Sequence, residues 1–159
     1  MNEPIYFDAI IIGGGLAGLS LSIQLAKAGF AVALFEKEQY PFHKVCGEYI
    51  SMESWNFIES LGLPLAQMQL PIIQNLIVTA HGGNLLQESL PLGGFGISRY
   101  TLDNHLKNIA VQKGVKVLEN WRVDEVIFEN DRFTITSGSN QYYCKVCCGS
   151  FGKRSNLDV

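Results

Sequence analysis

No stretch of this chain concentrates basic residues. Its 12 Lys and Arg are scattered and outnumbered by 15 Asp and Glu, for a net charge of −3. A nucleic-acid binder would need a clustered basic face, so that class of partner is not expected. Met1-Asn2-Glu3-Pro4 lacks the basic n-region and long apolar core of a signal peptide. The most apolar early stretch, Ala9 to Leu25, is interrupted by Gly13, Gly14, Gly15, Gly18, Ser20 and Ser22, which is not the pattern of a membrane span. Cysteine is sparse. Cys46, Cys144, Cys147 and Cys148 do not form the spaced framework of a small secreted domain, and a reducing cytoplasm is the expected compartment. No internal repeat or low-complexity linker divides the chain.

What is present is a folding composition, 47% hydrophobic and 17% charged over 159 residues, enough for one domain with a real core. Tyr6 to Ile12 is a near-continuous apolar, β-branched run, which is how a strand covered on both faces reads. From Leu16 to Ala28 apolar residues recur at helical spacing (Leu19, Ile23, Ala26), and Gly29 supplies the stop. Phe30 to Phe35 is a second apolar strand, ending at Glu36. Strand, helix and strand in this length predict a right-handed βαβ crossover.

Lys37 to Ile50 reads as a polar loop. A short helix through Leu61 follows Ser51-x-x-Ser54 and is halted by Gly62 and Pro64. Ile72 to Ala80 and Asn84 to Leu90 predict a hairpin turning at His81-Gly82-Gly83. Thr101 to Lys113 predicts a helix, with Thr101 as N-cap and Gly114 past its end. Val115 to Leu118, Arg122 to Glu129, Arg132 to Ser137 and Gln141 to Cys148 read as further strands. The fold class is therefore α/β, a Rossmann-like βαβ unit with antiparallel strands inserted at about residues 63–98.

The junction between the first strand and helix carries the chemistry. Gly13-x-Gly15-x-x-Gly18 has the spacing of a dinucleotide loop. Gly13 lets the chain turn off the strand, Gly15 lets the backbone approach a pyrophosphate, and Gly18 permits close helix packing. The helix start, at Leu16 and Ala17, offers unpaired N–H groups and a positive dipole end to phosphates. Glu36, with Lys37 after it, closes the second strand where a carboxylate accepts hydrogen bonds from a ribose diol and repels a 2′-phosphate. An adenine dinucleotide is the expected ligand, and NADP is disfavoured at this site.

Four stretches together resemble the flavoprotein group of p-hydroxybenzoate hydroxylase, geranylgeranyl reductases and flavin-dependent halogenases. They are Gly13-Gly14-Gly15-Leu16-Ala17-Gly18-Leu19-Ser20 with Glu36; Pro41-Phe42-His43-Lys44-Val45-Cys46-Gly47-Glu48; Ser98-Arg99-Tyr100-Thr101-Leu102-Asp103-Asn104-His105-Leu106; and Gly149-Ser150-Phe151-Gly152-Lys153-Arg154-Ser155. The resemblance implies FAD as cofactor and NAD(P)H as transient reductant. It implies oxidoreductase or monooxygenase chemistry on a small, apolar or aromatic substrate. It places Cys46 and Gly47 along the ribityl or isoalloxazine side of the flavin, Arg99 at the phosphate or ribityl region, and the Val123 backbone at the adenine. The fourth stretch departs from the family, with Phe151 where the family has Asp.

Other residues read plainly. Cys46 has no partner cysteine nearby of the kind disulfide-reducing flavoproteins carry. Cys144-x-x-Cys147-Cys148 lacks a second ligand pair for zinc, and no metal is expected. His43, His81 and His105 are isolated, with no triad partner. Trp55, Phe57, Ile58 and Leu61 are expected in the core, and Glu119, Asp124, Glu125 and Glu129 on solvated strand ends. The resembled family runs well past residue 159. A FAD/NAD(P)-binding domain over residues 1–159, incomplete and without the substrate-domain half, is therefore expected. A NAD-binding dehydrogenase domain and a non-catalytic nucleotide-binding remnant are the alternatives.

Overall fold

The computed structural model describes residues 5–153 and Leu157. The Met1–Pro4 reading and the Arg154 and Ser155 positions of the fourth stretch lie outside the described residues.

β1 (Ile5–Ile12), α1 (Leu16–Lys27) and β2 (Val32–Glu36) form the predicted βαβ unit. β3 (Tyr49–Ser51), α2 (Trp55–Leu61), β4 (Ile72–Thr79), β5 (Leu85–Gly96) and α3 (Arg99–Gln112) follow. The chain ends in β6 (Lys116–Glu119), β7 (Glu125–Glu129), β8 (Arg132–Ser137) and β9 (Asn140–Gly149). One sheet has the order β6-β2-β1-β9-β8-β7, and a smaller one the order β3-β5-β4. β6, β2, β1 and β9 run parallel, and β8 and β7 extend that sheet antiparallel.

Alternation along β1 and β2 splits the core in two. Ile11 and Leu34 face α1 and α3 and pack with Leu19, Ile23, Leu102 and Leu106. Ile10, Ile12, Ala33 and Phe35 face the opposite way, onto Val123, Ile135, Tyr142 and Cys144. The apolar runs are thus covered on both faces, as their composition required.

Several boundaries differ from expectation. The α3 N-cap is Ser98 and not Thr101. Ser98 is extended (φ −69°, ψ 147°) and its hydroxyl accepts the Thr101 N–H at 3.2 Å, which starts the helix at Arg99. The strand expected from Arg122 begins at Glu125; just before it Val123 turns into the core, while the Asp124 N–H still donates to the Thr136 carbonyl at 2.9 Å. The strand expected to stop at Leu90 continues through Pro91 to Gly96, accommodated by a register shift between Ile73 and Asn75. The last residues of the expected loop, Tyr49 and Ile50, pair with Gly96 and Phe95. Phe57 is exposed, because the short α2 turns only Ile58 and Leu61 fully inward, while Trp55 packs edge-on against Phe95 at 5.0 Å. Glu119 is half-buried and pairs with Lys107 at 3.4 Å, so it is not a solvated end.

Candidate functional site

The glycine loop sits at the carboxyl end of β1, wedged between the ends of β2 and β9. Gly13 takes φ +106°, a conformation L side chains rarely adopt, and its N–H donates to the Phe35 carbonyl at 2.8 Å. The Ser150 hydroxyl donates to the Gly13 carbonyl at 2.5 Å. A Cβ at Gly18 would run into the Gly13 carbonyl and lie 2.6 Å from the Ser150 hydroxyl. The third glycine is therefore demanded by the loop and the β9 end together. At Gly15 the situation is reversed, since a Cβ there would meet only the Arg99 and Lys44 head groups, each at 3.8 Å. That side of the loop is open. Gly15 is also the N-cap of α1 and makes no side-chain cap, so the orphan N–H groups of the first turn are left for a ligand.

Two buried carboxylates and two cations frame this opening. Glu36 accepts the Gly14 N–H at 2.9 Å on one oxygen and the Glu38 N–H at 3.1 Å on the other. Asp103, one turn after Arg99, takes both arms of the Arg99 guanidinium at 2.7 and 2.8 Å. This hydrogen-bonded pairing holds Arg99 above its ordinary pKa. Lys44 bridges the two acids, 3.8 Å from Glu36 and 3.7 Å from Asp103. Pairing of this kind is what makes burial of Glu36 and Asp103 tolerable.

Glu36, Arg99 and Lys44 line one cavity of about 900 Å³, with Asp103 behind Arg99. Gly13, Gly15, Leu16 and Ala17 form one wall, and Glu36, Lys37, Arg99 and Val123 the others. Gly18 lies behind the loop, and Cys46 and Gly47 are exposed and outside the lining. The Cys46 thiol accepts the Glu48 N–H at 3.4 Å. Lys44, Trp121 and Ser150, to which the sequence assigns no role, also line the cavity. Trp121 is tied to the site by its N–H on the Glu36 carbonyl at 2.9 Å. No local pattern signals that contact. Phe151 puts a ring into the wall where a carboxylate was expected by resemblance. His43 also reaches the rim, stacked on Tyr100 at 4.7 Å, whereas His81 and His105 are exposed elsewhere.

Away from the cavity, Cys147 and Cys144 share a hydrogen bond, which together with burial lifts the Cys147 thiol above its ordinary range. Among the described residues, no three His, Cys, Asp or Glu side chains converge to hold a metal. No described helix is long and apolar enough to cross a membrane. The donor set at the glycine loop fits an adenine dinucleotide. It offers free N–H groups and cations for a diphosphate, with a carboxylate nearby at the end of β2 for a ribose diol.

Residues 8–44 match the FAD binding domain family. The matched stretch holds the glycine loop, α1, Glu36 and Lys44. The wider chain is 23% identical over 158 residues to a menaquinone reductase of Mycobacterium tuberculosis, covering 94% of this chain and 38% of that protein. It is 41% identical over 85 residues to a 4,4'-diapolycopene oxygenase of Methylomonas sp, covering 54% of this chain and 16% of that protein. In structure it resembles the myxobacterial chondrochloren halogenase CndH, an FAD-dependent halogenase, with a TM-score of 0.81 at 23% identity over 97% of this chain and 39% of that one. The chain thus has a mixed α/β fold shared with flavin-dependent halogenases. The chain spans 27 to 38% of the length of the curated relatives that it matches along most of its own length.

Proposed function

We propose that this chain binds FAD with the diphosphate on the Gly13–Gly18 loop, as the nucleotide-binding part of an oxidoreductase reduced by NAD(P)H. The observation carrying this reading is the convergence of an uncapped α1 start, Arg99, Lys44 and Glu36 on one open cavity. Glu36 would receive the ribose diol with the lone pairs left by Gly14 and Glu38. Val123 would meet the adenine through its backbone, and Lys37 would flank the ribose. Arg99 would neutralise phosphate while Asp103 fixes its orientation. Cys46 and Gly47 would lie further along the same side, toward the ribityl chain or ring.

FAD when bound supplies the redox chemistry, and this chain supplies position, charge and exclusion of water. The substrate is proposed to be a small apolar or aromatic molecule, consistent with the menaquinone and diapolycopene in the relatives' names. Geranylgeranyl reductase-like C=C reduction and oxygen-dependent hydroxylation both fit that class. A cytoplasmic location accords with the free thiols. The test is to purify the chain, add FAD, remove the excess and record the visible spectrum. Retained flavin bands near ~375 and ~450 nm are expected on general grounds for bound FAD, and their bleaching by NADH or NADPH would identify the reductant. A colourless protein that takes up no FAD would contradict the reading.

A further inference from the structure

Between β2 and β3 the chain has little regular structure, yet its burial alternates. Tyr40 is buried, Phe42 and Lys44 are half-buried, and Pro41, His43 and Val45 are exposed. A period of two is the mark of extended chain laid on a surface, and here the surface is the glycine loop. The Tyr40 hydroxyl donates to the Gly14 carbonyl, while the Gly14 N–H is held by Glu36 at 2.9 Å. Both polar backbone atoms of Gly14 are therefore fixed by side chains from the end of β2 and the segment after it. No side chain fits at Gly14, because a Cβ would collide with the Tyr40 hydroxyl. Phe42 packs on Tyr40 with ring centroids 5.3 Å apart, and the Lys44 ammonium lies 4.5 Å from the Phe42 ring centroid.

Lys44 differs from Arg99 in how it is held. The Arg99 fork makes two short hydrogen bonds to Asp103. Lys44 stands 3.8 and 3.7 Å from its two acids, beyond hydrogen-bond length, and its side chain is 28% exposed. It is a cation held in place by charge and not by committed donors. An incoming diphosphate beside Gly15 would offer it a denser negative charge at little rearrangement.

We propose that the strap 40–44 completes the diphosphate site, with Tyr40 the positioning residue for the Gly14 peptide and Lys44 the cation that the diphosphate draws from Glu36 and Asp103. The inference rests on the FAD reading above and adds two residues to it. It implies that phosphate-bearing ligands feel the strap and that adenosine alone does not.

The experiment titrates ADP, FAD and adenosine into the full chain and its variants K44M, K44R and Y40F, at low and high salt, by calorimetry and NMR shift changes. K44M should weaken ADP and FAD by about tenfold at low salt and less at high salt, leaving adenosine unmoved. K44R should recover most of the loss. Y40F should weaken ADP and FAD several-fold, again sparing adenosine, at temperatures well below its melting transition. A residue that only supported the fold would weaken all three ligands together or none. Equal ADP affinity and salt dependence in wild type and K44M would overturn the Lys44 assignment while leaving FAD binding intact. Equal loss for ADP and adenosine in Y40F would overturn the positioning role of Tyr40. A wild-type chain that binds neither FAD nor ADP would sink the FAD reading and this inference with it.

Discussion

All five residues of β2 are buried, whereas seven of the eight residues of β4 are exposed. The two sheets that contain these strands also differ in what they do. The six-stranded sheet is packed by α1 and α3 on one face and by a second apolar cluster on the other, and the cavity opens where β1 and β2 end. The β4–β5 hairpin leaves Leu76, Ile77, Val78, Leu85, Leu86 and Leu92 exposed and contributes no residue to the cavity lining. Precise geometry at Gly13 to Gly18 needs neighbours that cannot move, and close packing on both sides provides them. The hairpin is under no such demand among the described residues.

That contrast can be broken by mutation, beginning with the largest effect. Leu34, fully buried between the helices and β1, should cost about 3 kcal/mol when changed to Ala, measured by urea denaturation. Glu36→Ala strips the Gly14 and Glu38 N–H groups of their acceptor and should weaken FAD at least about tenfold, equivalent to ~1.4 kcal/mol, in an equilibrium titration. Ser98→Ala removes the cap that starts α3 at Arg99. It should cost about 1 kcal/mol in thermal or urea unfolding.

A pH effect is expected to be smaller. Burial first, and Glu36 second, lift the Tyr40 hydroxyl above its ordinary value of 10. Its contribution to stability is complete below pH 10, where the phenol is neutral whether folded or not. It is lost as pH rises further, because only the unfolded chain then ionises freely. Stability should therefore fall on the alkaline side, and Y40F should flatten that fall in pH-dependent melting curves. Least of all, Ile77→Thr in the exposed hairpin should change stability by under about 0.5 kcal/mol. A cost at Ile77 comparable with that at Leu34 would erase the distinction between the sheets.

The same contrast governs what was legible in the sequence. β1, α1 and β2 were readable because apolar periodicity, the glycine spacing and a terminal acid all act within about thirty residues. The contacts that finish the site are not local. Ser150 meets Gly13 across 137 positions, and Trp121 reaches Glu36 from the far side of α3 and β6. Thr101 precedes the apolar run as a cap would, but Ser98 has the extended backbone, and its hydroxyl accepts the Thr101 N–H while donating to the Thr101 hydroxyl. Tyr40, Phe42 and Lys44 alternate within a loop that Pro41 and His43 make look irregular. The strand expected over Asn84 to Leu90 continues past Pro91 to Gly96.

Whether the Gly13–Gly18 cavity binds FAD is decided by equilibrium titration of the purified chain. Saturable binding of one FAD per chain is expected, competed by ADP and lost in Glu36→Ala at a temperature where that variant remains folded. Failure of the folded wild-type chain to bind FAD, or FAD binding that ADP does not displace and Glu36→Ala does not weaken, would contradict that assignment.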